Sequence, residues 1–130
     1  MIYIDTSVVL SEVFSEARHP PDVFWRKILV SSKLLEYELF NRVHARGSSA
    51  DEIASAGKLR DRIRLVDLSP EALARALDPF PLHVRTLDSL HLATMVFLRG
   101  RGQTVSFASY DRRFVETAVA MGFEIEVMDE

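Results

Sequence analysis

Short apolar runs alternate with amphipathic helical segments along this chain, and that alternation predicts an α/β domain. Two further observations give the arrangement. Helical segments separate the successive strand-like runs, so neighbouring strands are joined by crossovers, as parallel pairing requires. Glycines follow several of the helical segments, where a left-handed residue closes a helix. The expected architecture is three layers, α/β/α, around a mainly parallel sheet of about five strands, occupying residues 1–130 as one domain.

The elements follow in order. Ile2 to Ile4 reads as the first strand and Ser7 to Glu16 as the first helix. Pro21 to Lys27 reads as a short second helix after the proline-bearing segment Ala17 to Pro21. Ile28 to Ser31 is the second strand, followed by helices over Lys33 to Arg46, closed by Gly47, and over Ala50 to Leu59. Ile63 to Val66 is the third strand, and Ser69-Pro70-Glu71 is a cap with proline in the first helical turn, opening Pro70 to Leu77. Asp88 to Arg99 is a long apolar helix ended by Gly100, Val105 to Ala108 the fourth strand, and Arg112 to Met121 a helix ended by Gly122. Phe123 to Val127 alternates apolar with acidic residues and so reads as an edge strand.

Composition bounds the chemistry. A length of 130 residues with 48% hydrophobic and 27% charged residues suits one globular core. Cysteine is absent, which excludes disulfides, thiolate catalysis and cysteine-based zinc sites and is compatible with a cytoplasmic location. The chain opens directly into Met1-Ile2-Tyr3-Ile4-Asp5 without a secretory pattern, and the apolar stretch Leu90 to Leu98 is too short for a bilayer, so no membrane role is expected. The net charge of −3 gives no global attraction to polyanions, so a nucleic acid needs a local basic patch. Thirteen of the sixteen basic residues are Arg, the better fork for phosphate, although a coding bias gives the same excess.

Four acids occupy positions where a parallel-sheet chain keeps its chemistry. Asp5 and Asp111 follow strands, Asp88 opens a long helix, and Glu38 lies in the helix after the second strand. In open parallel sheets the ligand crevice lies beyond the carboxyl ends of the strands. Carboxylates gathered there repel one another unless a cation joins them, and oxygen donors of this kind suit Mg2+ or Mn2+. Two such ions about 3.5–4 Å apart activate a water and stabilise a leaving oxygen, which suits phosphodiester cleavage. Each acid also has a plainer role: Asp5, Asp88 and Asp111 as helix caps, Glu38 as a solvated helix residue.

The segments Ile2-Tyr3-Ile4-Asp5-Thr6-Ser7, the helical Glu38, Arg85-Thr86-Leu87-Asp88-Ser89-Leu90-His91-Leu92-Ala93 and Ser109-Tyr110-Asp111-Arg112-Arg113-Phe114 together resemble a PIN-domain ribonuclease of the VapC toxin type, nearly end to end. The resemblance implies a PIN-like fold and an Mg2+- or Mn2+-dependent endoribonuclease acting on structured RNA. It further implies inhibition by a cognate antitoxin and a homodimer. On that resemblance Asp5, Glu38, Asp88 and Asp111 are the catalytic and metal-binding acids, with Thr6 and Ser109 as neighbouring hydroxyls. Ser89, where relatives commonly carry Ala, is a small departure.

Glu36 competes with Glu38. The two project about 200° apart around a helix axis, so one of them reaches the site, and periodicity does not choose. Glu38 is preferred because Ser32 to Glu38 matches the family's spacing. His91 lies one turn after Asp88 but is surrounded by Leu90, Leu92, Ala93 and Met95, and reads as a hydrogen-bonded core histidine. Arg42, Arg85, Arg112 and Arg113 lie near the acids and are expected to hold RNA phosphates; balancing those carboxylates is their plainer role. Val9, Val13 and Phe14, with Phe24 and Trp25, exceed the apparent needs of one sheet face and are expected to form part of a groove for a partner helix, by analogy the antitoxin's.

Two other functions compete. A phosphoacceptor receiver domain also places acids at a sheet edge but needs a late lysine, and no Lys follows Lys58. A PIN-like RNA-binding or scaffolding module without nuclease activity is the stronger rival, because fold does not fix activity. Its mark would be loss of an acid, and all four are present.

Overall fold

The computed structural model describes residues 1–128. Five strands form one sheet: β1 (Ile2–Ile4), β2 (Leu29–Ser32), β3 (Arg64–Val66), β4 (Ser106–Ala108) and β5 (Glu124–Ile125). Their order across the sheet is β3-β2-β1-β4-β5, and every pairing is parallel. The helices are α1 (Thr6–Val13), α2 (Leu34–Ala45), α3 (Ala50–Asp61), α4 (Pro70–Ala76), α5 (Thr86–Gly100) and α6 (Arg112–Ala120), with a 3₁₀ turn at Asp22–Arg26.

The period of two along β1 explains the layering. Ile2 and Ile4 face one side and join Val8, Val9, Leu35, Leu39 and Val43 from α1 and α2 in one core. Tyr3, between them, faces the other and packs with Leu92 and Met95 of α5 and Phe107 and Phe114. Covered on both faces, β1 can be apolar throughout, and all three of its residues are buried. The chain moves outward from β1 through β2 to β3, then returns to the other side of β1 for β4 and β5. The reversal lies between β1 and β4, so the crevice belongs beyond their carboxyl ends.

Several elements differ from expectation at their ends. Helix α1 stops at Val13 because Ser15 takes a positive φ of 48°, and prolines follow at Pro20 and Pro21. Downstream of them the expected second helix is the 3₁₀ turn, ended by extended Lys27. Helix α5 begins at Thr86 after extended Arg85, which puts Asp88 within its first turn rather than at its cap. Gly100 is the last residue of α5, and Gly102, at φ +83°, makes the left-handed turn. Ser69 caps α4 as expected, its Oγ accepting the Ala72 N–H at 3.0 Å. Strand β5 is shorter than the alternation suggested and lies at the sheet edge.

The apolar residues expected to form a partner groove are largely committed to the core. Val9, Val13, Phe24 and Trp25 are buried, the first two because α1 is covered by α2 and α3 as well as by the sheet. Trp25 stands edge-on to Phe24 at 5.3 Å and donates its indole N–H to Glu12 Oε1 at 3.0 Å. Phe14 is half-buried beneath the Arg46 guanidinium, 3.8 Å from its ring centre. Composition alone could not reveal that α3 would supply the second cover.

Candidate active site

A cleft of about 690 Å3 opens beyond the carboxyl ends of β1 and β4, and Asp5, Glu38, Asp88 and Asp111 all line it. Four different connections deliver them. Asp5 leaves β1, Glu38 lies on α2, Asp88 sits in the first turn of α5, and Asp111 precedes α6. Asp5 occupies the N-cap position of α1 yet makes no capping bond with its side chain. Its carboxylate instead accepts the Ser7 hydroxyl on Oδ1 at 2.6 Å and the Ser109 hydroxyl on Oδ2 at 2.7 Å. Those hydroxyls also accept the N–H groups of Tyr110 and Asp111, at 3.0 and 2.9 Å. The two serines thereby tie the β1–α1 turn to the β4–α6 turn across the top of the sheet.

Asp111 does act as a helix cap. Its Oδ1 accepts the N–H groups of Arg113 and Phe114 at 3.1 and 3.3 Å, which stabilises the start of α6 and fixes the carboxylate at the cleft edge. Glu38 is gripped on one oxygen. Thr6 Oγ1 donates to Oε1 at 3.0 Å and His91 Nε2 lies 2.6 Å from the same atom, so Oε2 is the oxygen left for a ligand. Glu36 pairs instead with Lys33 at 3.2 Å and Arg60 at 3.6 Å. Of the two glutamates, Glu38 therefore faces the cleft.

Burial and crowding perturb the acids. Desolvation pushes the Asp5 carboxyl up to about 6, against the two serine hydroxyls that favour its ionised form, and the Asp111 charge adds to the rise. Asp88 is also raised, first by desolvation and then by the charges of Asp111 and Glu38, with Arg85 opposing. A cation placed among these groups would oppose both the desolvation and the smaller mutual repulsion that raise them.

The donors fit a particular kind of ion. Among the described residues no three Asp, Glu or His side chains converge into a ready-made cation site. Hard oxygen donors spread around one open cleft suit an ion that keeps much of its water and takes only one or two carboxylates directly, as Mg2+ does. They do not suit a closed all-protein cage.

Of the expected basic residues, Arg42 and Arg85 line the cleft and Arg112 and Arg113 do not. Arg112 pairs with Glu116, one turn along α6, at 3.2 Å. Arg113 donates to the His83 carbonyl at 3.3 Å. Adjacency to Asp111 in sequence thus carried them past the helix start and away from the cleft wall. The cleft adds residues not singled out beforehand. Arg18 lies over the Tyr110 ring at 5.1 Å, and Asn41 follows Glu38 by three residues on α2, a spacing that shares a face. Ser7 and His91 also line it; His91 is the hydrogen-bonded core histidine expected, and one of its partners is Glu38.

No helix among the described residues is long and apolar enough to cross a membrane. Comparison with curated proteins gives no match. Among solved structures, the chain is similar to the Mycobacterium tuberculosis toxin VapC20, described as a Sarcin-Ricin loop cleaving toxin. The two share 19% identity with a TM-score of 0.70, covering 99% of this chain and 100% of that one. It is also similar to a chain of a toxin–antitoxin complex from Klebsiella pneumoniae, at 14% identity and a TM-score of 0.60, covering 100% of this chain and 99% of that one. At such identities the likeness speaks to fold. A PIN domain family model matches residues 2–120, nearly the whole sheet and all six helices, and by that match the chain belongs to the PIN domain family.

Proposed function

We propose that this protein is a metal-dependent endoribonuclease that cleaves structured RNA and serves as the toxin of a toxin–antitoxin pair. The observation that carries the reading is the delivery of Asp5, Glu38, Asp88 and Asp111 by four separate connections into one cleft whose wall also holds Arg42 and Arg85. Structural roles alone do not account for it. A buried carboxylate pushed up to about 6 and a second raised by desolvation and by its acidic neighbours are a standing cost in the empty protein, which a bound cation would offset. The likeness to a Sarcin-Ricin loop cleaving toxin and to a chain of a toxin–antitoxin complex supports the RNA substrate and the antitoxin partner.

In this reading Asp5, Glu38, Asp88 and Asp111 would together hold Mg2+ or Mn2+, no more than one or two of them bound directly. When bound, such an ion supplies positive charge to the phosphodiester and makes a nearby water acidic enough to attack. The chain's own residues do the rest. Arg42 and Arg85 hold flanking phosphates and so set the strand's position without reading its bases. Ser7 and Ser109 keep Asp5 ionised and fixed in direction, and Thr6 does the same for one oxygen of Glu38. We further propose that the protein acts in the cytoplasm, works as a homodimer, and is held inactive by an antitoxin segment lying against the cleft.

The direct test is brief expression followed by sequencing of RNA ends. The reading expects new ends at a defined site in a structured RNA with the wild-type chain, and neither new ends nor growth arrest with Asp5→Asn. Growth arrest that persists with Asp5→Asn would instead favour the RNA-binding or scaffolding module.

A further inference from the structure

We propose that His91 is the positioning residue for Glu38, and that the hydroxyl of Tyr3, in the core beneath the cleft, fixes the direction in which His91 donates. This rests on the nuclease reading and extends it to a buried relay behind the acids. The relay runs through three elements. The Ser32 N–H at the end of β2 donates to the Tyr3 hydroxyl on β1 at 3.1 Å, the hydroxyl lies 2.7 Å from His91 Nδ1 on α5, and His91 Nε2 lies 2.6 Å from Glu38 Oε1 on α2. Tyr3 is 0% exposed and His91 1%, so water cannot replace the bond between them.

The direction of each bond follows from proton counting. Nearby Ser31 and Thr94 direct their own hydroxyl protons to the carbonyls of Ile4 and Leu90, at 2.7 and 2.8 Å. Tyr3 accepts from the Ser32 N–H and has one hydroxyl proton of its own to donate. That proton is assigned to His91 Nδ1, 2.7 Å away, over the Ser31 and Thr94 oxygens, which also hydrogen-bond the Tyr3 side chain. A neutral ring accepting at Nδ1 carries its hydrogen on Nε2, and Nε2–H then donates to the Glu38 carboxylate. The opposite tautomer would set a lone pair against a carboxylate oxygen.

The consequence lies in Glu38. Thr6 and His91, on α1 and α5, both donate to Oε1, so the carboxylate is held through that oxygen at the cleft wall and Oε2 is left for an ion. Without His91 the side chain keeps only the Thr6 bond and must be ordered when an ion arrives. Groups that orient a metal ligand in this way typically change affinity by about 10–100-fold when removed.

Two measurements on the full chain test this. In the metal-free wild type, long-range 1H–15N NMR should show His91 as a neutral ring with its hydrogen on Nε2; Tyr3→Phe should lose that fixed signature while remaining folded. A ring hydrogenated on Nδ1, or an imidazolium, in the wild type overturns the proposal. Titration with Mn2+ then compares His91→Asn, whose amide falls short of Glu38, with His91→Gln, whose amide reaches the Nε2 position. The dissociation constant should rise about tenfold or more in the first and stay near wild type in the second. RNA cleavage by His91→Asn should lose kcat with KM for RNA unchanged. Equal weakening in both variants, with thermal melts showing both folded, sinks the positioning role. A wild type that binds no Mn2+ sinks the nuclease reading itself, a distinct result.

Discussion

Replacing Asp5 with Asn should make the metal-free protein more stable at neutral pH while abolishing cleavage. Burial raises the Asp5 carboxyl from 3.8 to about 6, so the folded state holds this proton more tightly than the unfolded chain does. For an acid with a raised folded pKa, stability is greatest below the unfolded value and falls as pH rises through the folded one. At pH 7.5 the ionised, 6% exposed carboxylate therefore costs on the order of 3 kcal/mol, from about two pKa units at 1.36 kcal/mol each. Asn removes that charge but cannot accept both serine hydroxyls, since one side of an amide is a donor, and a lost bond of this kind costs about 1–2 kcal/mol. The net gain is about 1–2 kcal/mol. With roughly 2.1 cal/mol/K of unfolding entropy per residue, the melting temperature should rise by about 4–8 °C. Circular dichroism melts in chelator at pH 7.5 and at pH 4.5 measure it. The gain should shrink or reverse at the lower pH, where the wild-type carboxyl is protonated. An Asn variant less stable than wild type at pH 7.5 would refute the claim that this acid is held at a cost.

Other outcomes follow from the same geometry. Ser109→Ala removes a bond that favours ionised Asp5, so the acidic limb of a cleavage–pH profile should move to higher pH, as rates from pH 5 to 8 would show. Mg2+ should raise the melting temperature of the wild type, and chelation should remove both that gain and cleavage, whereas Asp5→Asn should respond weakly to the ion. Arg42→Ala should weaken RNA binding and lower the magnitude of its salt dependence by about one ion, while Arg112→Ala, paired with Glu116 outside the cleft, should do neither. Leu39→Ala, at a fully buried position of α2, should cost about 2–5 kcal/mol in denaturant unfolding.

The layered fold was legible because β1 and its neighbours carry unbroken apolar runs and the helices have stops in the sequence. Gly47 and Gly122 turn with φ of +69° and +87°, as their positions after helices suggested. Element ends were less legible, since they depend on single conformations such as Ser15 at positive φ and on extended Arg85 placing Asp88 inside α5. Asp5 and Asp111 could be placed at one sheet edge from strand ends alone, whereas Glu38 and Asp88 lie in helices and are assigned to the site through the resemblance. Choosing between Glu36 and Glu38 needed the tertiary partners, Lys33 and Arg60 for one and Thr6 and His91 for the other. His91 is the buried, hydrogen-bonded histidine that its apolar helix suggested, but that one of its partners is Glu38 could be seen only in the tertiary structure. Val9 and Val13 look surplus because the sequence does not show that α3 packs on α1, and both are buried in the core.

The central claim is that four distant acids share cations in one cleft. Crystals soaked in Mn2+, with anomalous scattering recorded, test it most directly. The account predicts one or two peaks among Asp5, Glu38, Asp88 and Asp111; a cleft without Mn2+ in crystals of a protein that still cleaves RNA in chelator would contradict it.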